Sequence, residues 1–271
     1  MDLNELRAKP HLSSSSISDY IDCSMLFKFS RVDKLPREFI PSSLEFGTVI
    51  HLVLAEYYRG KMDGYKMLLK GIHESFKNHW HERAKDRTDI QYTDGQDFDM
   101  MLNQGLGVLQ AWYENLTEDS FKVLAVEEPF SIDIENLDVP IIGVTDLIEE
   151  DDSGTIVLTD FKTSSKAYSI DQVDTNQQLT FYQMAVKKNG FADREILLKF
   201  DCLIKTKKPK FESYWTTRSE IDEIKLVKKI HQVWDGISKG VFIPNDTSWK
   251  HKNCPYRKVC DEWFLNDGGG R

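Results

Sequence analysis

The chain is short of cysteine, of positive charge and of long apolar runs, and each shortage excludes something. Four cysteines, Cys23, Cys202, Cys254 and Cys260, are too few and too scattered for the disulfide framework of a small secreted domain. No run approaches the ~20 apolar residues of a membrane span. No G-x-x-x-x-G-K-[S/T] phosphate loop is present, so nothing signals a nucleotide-driven motor. The opening M-D-L-N-E-L-R lacks the basic-then-apolar shape of a signal peptide, and the expectation is a cytoplasmic protein. Lysine and arginine number 35 against 44 acids, a net charge of -9, which argues against a protein that coats nucleic acid indiscriminately. An acid cluster built to hold a metal would add to that negative total, so enzymes acting on nucleic acid stay in play. With 271 residues, 40% of them hydrophobic, the chain can bury the core of one large α/β domain.

No internal repeat is visible. Ser13 to Ser16 should cap a helix over Ile17 to Phe29, with Ser16 or Ser18 as N-cap. Pro36 and Pro41 bracket a loop. Helical spacing runs through Gly47 to Tyr58, Lys66 to Lys85 and Met100 to Leu116, with a polar loop from Asp86 to Asp97. Strand signals follow at Val123 to Phe130, Val139 to Glu149 and Thr155 to Lys162. A loop from Thr163 to Asp174 leads to a helix, Gln177 to Lys188, closed by Asn189-Gly190. Two strands, Ile196 to Lys205 and Phe211 to Thr216, a helix from Ser219 to Ser238 and a cysteine-bearing tail complete the order. The expected class is α/β, a central mixed sheet flanked by helices, with an N-terminal helical layer.

The chemistry concentrates in two strand ends, I-I-G-V-T-D at Ile141 to Asp146 and L-T-D-F-K-T at Leu158 to Thr163. Side chains on a strand alternate faces. Ile156, Leu158, Asp160 and Lys162 therefore share one face, as do Ile142, Val144, Asp146 and Ile148. Acids and a lysine ending apolar ladders are costly unless they converge on something. A divalent cation and a phosphate are the natural candidates: carboxylates are hard oxygen ligands, and a lysine can hold a water or neutralise charge on phosphorus. His51, among Ile50, Leu52, Val53 and Leu54, reads on its own as a satisfied core histidine. Gln178 and Tyr182, four apart, share a helix face. The basic stretches, Lys205 to Lys210 and Lys225 to Lys229, could follow a phosphate backbone or simply be solvated edges.

Taken in order, G-T-V-I-H (Gly47 to His51), G-V-T-D (Gly143 to Asp146), D-F-K (Asp160 to Lys162) and Q-L-T-F-Y (Gln178 to Tyr182) resemble the RecB-type branch of the PD-(D/E)xK nuclease superfamily, with its G-x-x-x-H, G-x-x-D, (D/E)-x-K and Q-x-x-x-Y motifs. The flanking S-S-S-S-I-S-D-Y-I-D-C and C-P-Y-R-K-V-C extend the likeness over nearly the whole chain. The resemblance implies a restriction-endonuclease-like core and a metal-dependent DNA nuclease. The expected activity is that of an exonuclease on single strands or duplex ends. It implies that His51, Asp146, Asp160 and the Phe161 carbonyl ligate magnesium or manganese, which turns His51 from core residue to ligand. Lys162 would be the catalytic lysine, with Gln178 and Tyr182 orienting it or touching substrate. Phe161, Tyr168 and Tyr182 are candidates to stack unpaired bases.

Several nucleases similar in this way, the CRISPR-associated ones and the AddB type among them, carry a [4Fe-4S] cluster on one N-terminal cysteine and a C-terminal C-x-x-C-x5-C. Here Cys23, Cys254 and Cys260 match, and His251 stands where the first C-terminal cysteine would be. Imidazole can ligate iron, and three thiols with one imidazole also suit tetrahedral zinc. Loss of the metal, leaving small buried residues, is the third alternative. In each metal-bound case the site would be structural, stapling the N-terminal helix to the tail. Cys202, in F-D-C-L-I, is expected in the core.

The whole chain, 1–271, is expected to form one nuclease domain: 1–120 mainly helical, 121–218 the catalytic sheet, 219–271 the last helix and tail. Two rivals differ in class: a non-catalytic DNA-binding module of a recombination or repair assembly, and a hydrolase of small phosphoesters. DNA is the expected partner. Any unwinding would come from a helicase or recombination partner, and a homo-oligomer is open.

Overall fold

Period-two burial in the middle of the chain builds a sheet, and helices close both its faces. A computed structural model describes residues 3–93, 95–116 and 121–265. The expected boundary at residue 120 and the last six residues of the tail lie outside the described residues. The elements are α1 (Leu3–Ala8), α2 (Ser14–Asp22), α3 (Ser24–Phe27), β1 (Ile40–Pro41), α4 (Ser42–Met62), α5 (Leu69–Ala84), β2 (Ile90–Gln91) and α6 (Phe98–Glu114). After these come β3 (Lys122–Ile132), β4 (Ile141–Glu150), β5 (Ile156–Ser164), α7 (Ile170–Asp174), α8 (Gln177–Val186), β6 (Ile196–Ile204), β7 (Lys210–Thr216), α9 (Glu220–Ser238) and α10 (Arg257–Leu265).

Strand order in the five-stranded sheet is β3-β4-β5-β6-β7. Only the β5–β6 pair is parallel; the other three pairs are antiparallel. A parallel pair needs a crossover, and α7 and α8 provide it. Alternation sends Leu158 and Ile148 into one core with Ile17, Leu179, Phe181 and Ile230, and Leu147 and Phe161 into the other with Phe46, Trp80 and Trp112. Helix α4 shows why it docks: Phe46, Val49, Ile50, Val53, Leu54 and Tyr57 are buried at helical spacing on one stripe. Each such side chain contributes about 1.5–3 kcal/mol on full burial. A restriction-endonuclease-like mixed sheet flanked by helices is the result.

The N-terminal helix and two of the loops need correction. The helix expected over Ile17 to Phe29 starts at Ser14 and is capped by Ser13, whose hydroxyl and the Ser16 hydroxyl form a reciprocal capping box, so neither Ser16 nor Ser18 is the N-cap. It also breaks at Cys23, which is extended (φ -163°, ψ 102°), and this re-aims the chain so that Met25 and Phe29 pack on Tyr256 of the tail. On the Ile142 ladder Ile142 is buried and Val144 half-buried, and both also line an opening beside Gln178 and Tyr182. Loops expected at Asp86 to Asp97 and Thr163 to Asp174 carry β2, which pairs with β1, and α7.

Candidate metal and nuclease site

The site exists because β4 and β5 part company. Their ladder ends at Leu147–Thr159. One step further, the Phe161 backbone N–H donates to Asp146 Oδ2 at 2.9 Å, so a carboxylate takes the place of a neighbouring backbone carbonyl. That exchange anchors Asp146 and opens the sheet where Asp160 and Lys162 sit.

Four of the sequence-predicted residues close a ring of polar contacts. The Lys162 ammonium lies 2.6 Å from Asp160 Oδ2 and donates to Gln178 Oε1 at 2.8 Å. Gln178 Nε2 donates to the Tyr182 hydroxyl at 3.0 Å, and that hydroxyl donates to Asp160 Oδ1 at 3.0 Å, with Asp146 Oδ1 at 3.4 Å. Asp160 is fully buried, at 0% exposure, and Asp146 and Tyr182 are buried too. Asp160 Oδ2 sits close to Lys162 without a well-directed hydrogen bond, an under-satisfied buried carboxylate oxygen.

His51, reaching in from α4, places Nδ1 3.3 Å from Asp146 Oδ2, and its ring meets Phe161 edge-on at 6.2 Å. Sequence reasoning missed a further acid. Glu127 on β3 brings its carboxylate to His51 and Asp146, with one donor atom from each of the three within 4.8 Å of the others. Among the described residues this is the only such group of three. Glu127 has φ +53°, a left-handed conformation that a glutamate adopts at some cost, and the neighbouring register shift between Val123 and Ala125 marks the same strand as irregular. A signal was available: V-E-E-P-F puts acids inside a strand that the sequence marks as apolar. Asp160 stands outside the three, with Lys162 beside one oxygen and the Tyr182 hydroxyl bonded to the other.

Electrostatics explain what the cluster wants. Burial, then the charge of Asp146, raises the Glu127 carboxyl, with His51 and Arg59 pulling the other way. Burial also raises Asp160, against the pull of Lys162. On Lys162 burial opposes the charge, but Asp160 more than offsets it and the ammonium is held above its ordinary value. Burial lowers His51, yet the hydrogen bond and charge of Asp146, with Asp160, carry it up to about 8. Two buried acids, Asp146 and Asp160, and the half-buried Glu127 crowd around His51 and Lys162. Oxygen donors with one imidazole suit magnesium or manganese, so the residues fit such an ion.

The base-stacking expectation does not survive for two of its three residues. Phe161 and Tyr182 are 3% and 2% exposed, packed in the cores, and cannot present a ring face. Tyr168 is half-buried against Phe200, with ring centroids 5.6 Å apart. Cys202 is buried as expected, and burial pushes its thiol up to about 12. Cys23, His251, Cys254 and Cys260 line one cavity of about 290 Å³ between α3 and the tail. Burial raises the Cys254 and Cys260 thiols, the latter to about 11, and Cys23 adds to both shifts.

Comparison with known proteins follows the same lines. The description of the PD-(D/E)XK nuclease superfamily matches residues 11–261. No curated protein matches. A crystal structure from Eubacterium rectale, described as a candidate exonuclease, is similar at 9% identity and TM-score 0.50, covering 90% of this chain and 87% of the other. The protein SSO0001 aligns at 13% identity and TM-score 0.37, over 92% and 93% of the two chains. Among the described residues no helix is long and apolar enough to cross a membrane.

Proposed function

This chain belongs to the PD-(D/E)XK nuclease superfamily, and we propose that it is a cytoplasmic, metal-dependent DNA nuclease acting as an exonuclease on single-stranded DNA or duplex ends. The whole chain is read as one nuclease domain. The observation that carries the reading is the convergence of His51, Glu127 and Asp146 beside the Asp160–Lys162 pair. The exonuclease description of the Eubacterium rectale neighbour agrees with it.

In this reading His51, Glu127, Asp146 and Asp160, with the Phe161 carbonyl, hold magnesium or manganese. Such an ion supplies a lowered pKa for a water and neutralisation of phosphate charge. Lys162, held between Asp160 and Gln178, directs its ammonium at the phosphate oxygens as negative charge grows on them. Tyr182 keeps Asp160 and Asp146 in position, and Gln178 ties that hydroxyl to the lysine. A buried carboxylate paired with a lysine beside a His–Glu–Asp group favours the enzyme over the DNA-binding module. Incubation of 5′- and 3′-labelled single and double strands with magnesium or manganese tests the reading and reports polarity. Lys162→Ala and Asp160→Asn should each lower cleavage by about 10²–10³-fold. Cleavage at the wild-type rate by both variants overturns it.

Cys23, His251, Cys254 and Cys260 are read as a structural iron–sulfur site in preference to zinc. The four line one cavity between α3 and the tail, where a bound metal would staple the two segments together. Protein purified without oxygen should be brown and contain iron; a colourless, iron-free preparation refutes the assignment.

A further inference from the structure

Next to Lys162 lies a second opening that the catalytic cluster does not use. It has a volume of about 510 Å³, and its lining includes Arg37, Ser43, Thr163, Lys205, Trp249 and Lys250. The Thr163 hydroxyl packs beside Gly47, one turn before His51 on α4, so the opening adjoins the site from the His51 side. The lining holds three cations, Arg37, Lys205 and Lys250, and one acid, Asp19, in a chain whose net charge is -9. Affinity for a polyanion must come from such a local concentration.

Two residues carry unusual burdens. Lys205, at the end of β6, rests its ammonium 4.6 Å from the centre of the Phe46 ring. Burial alone lowers its pKa, with no neighbouring charge offsetting the loss of water. A desolvated cation facing an opening is a ready phosphate contact. Trp249 is 78% exposed, a large aromatic left in water on the rim of the same opening. It is not adrift: the adjacent Lys250 bonds Asp19 and Asp22 of α2 at 2.8 Å each and lies 5.5 Å from the Trp249 ring centre. One ammonium shared by two carboxylates is spent on them, so the lining cations left to meet a phosphate are Arg37 and Lys205. An exposed indole beside lining cations is the pattern of a single-strand platform, since unpaired bases offer faces to stack that duplex bases do not. Phe161 and Tyr182 cannot serve, because they are buried.

We propose that this groove binds a single strand of DNA leading to Lys162, with Trp249 stacking a base and Lys205 contacting a phosphate. The inference rests on the nuclease reading for the identity of the strand. It is measured apart from cleavage, by anisotropy of a fluorescein-labelled oligothymidylate in EDTA. Trp249→Ala should weaken binding by about 5- to 150-fold. Lys205→Met, which keeps the stem over Phe46, should reduce the slope of log affinity against log salt by about 0.7. Lys70→Met, an exposed lysine on α5 outside the groove lining, serves as control and should bind as the parent does. Wild-type binding by both groove variants, an equal loss in the control, or competition by polyglutamate as effective as by unlabelled oligothymidylate overturns the proposal. If the groove variants lose binding but the parent cleaves no DNA with manganese, the groove stands and the nuclease reading fails.

Discussion

Removing one oxygen tests how the cluster is held. Tyr182→Phe keeps the ring, which meets Phe130 edge-on at 6.2 Å, and deletes only the hydroxyl. Among the described residues that hydroxyl is the one hydrogen-bond donor to Asp160 Oδ1, while Oδ2 has Lys162 nearby without good geometry. A hydrogen bond to a charged group contributes about 1.5–3 kcal/mol. In a chain of this size about 2–4 °C of midpoint follows each kcal/mol, so in EDTA the variant should unfold about 3–12 °C lower. Manganese should then separate the two proteins further. At about 100 times its dissociation constant the ion stabilises the parent by about 2.7 kcal/mol. Loss of a group that orients a ligand weakens binding by about 10–100-fold, leaving the variant about 0.4–1.4 kcal/mol of that gain. Thermal unfolding followed by circular dichroism, in EDTA and in manganese, reads both steps. A wild-type midpoint in EDTA, or an equal gain from manganese, would refute the reasoning.

Two further substitutions probe the surroundings. Glu127→Gln should weaken manganese binding by at least about tenfold in calorimetry, and unchanged affinity would remove Glu127 from the ligand set. Gly143→Ala should destabilise by about 1–3 kcal/mol, because a Cβ there would lie 2.4 Å from the Phe130 ring. The Phe130 ring in turn supports Tyr182, so nuclease activity should fall with the melting temperature; a variant that melts and cleaves like the parent shows that the ring can move freely.

What the sequence made legible was whatever repeats at a fixed period. Alternation placed Leu158 and Asp160 on one face and Phe161 on the other, and the four-residue spacing of Gln178 and Tyr182 became a hydrogen bond. Contacts between distant segments carry no period. Arg218 donates to Thr180, Thr216 and three carbonyls, those of Val173, Asn176 and Thr217, and so fixes the start of α8 where Gln178 sits. Nothing in T-T-R-S announces this. The Cys23 break was equally hidden, since it answers to packing against Tyr256, over 200 residues away. Glu127 was within reach, because the reasoning that isolated Asp160, an acid inside an apolar strand, applies to it unchanged.

The acids also explain why the site should be weak alone and strong when filled. Glu127 and Asp160 are both raised by burial, and Asp146 raises each of them further. The folded protein therefore works against its own charge at the place where β4 and β5 separate. That cost falls on the metal-free state alone, and any ion that removes it binds with the difference added to its affinity. The same logic confines DNA to a path away from the acids. In a chain of net charge -9, a strand bound in the proposed Lys205 groove meets the acids only at the cluster, and its scissile phosphate can enter only once the cluster has been neutralised. Metal should consequently strengthen DNA binding as well as enable cleavage, even in Lys162→Ala, where cleavage is lost.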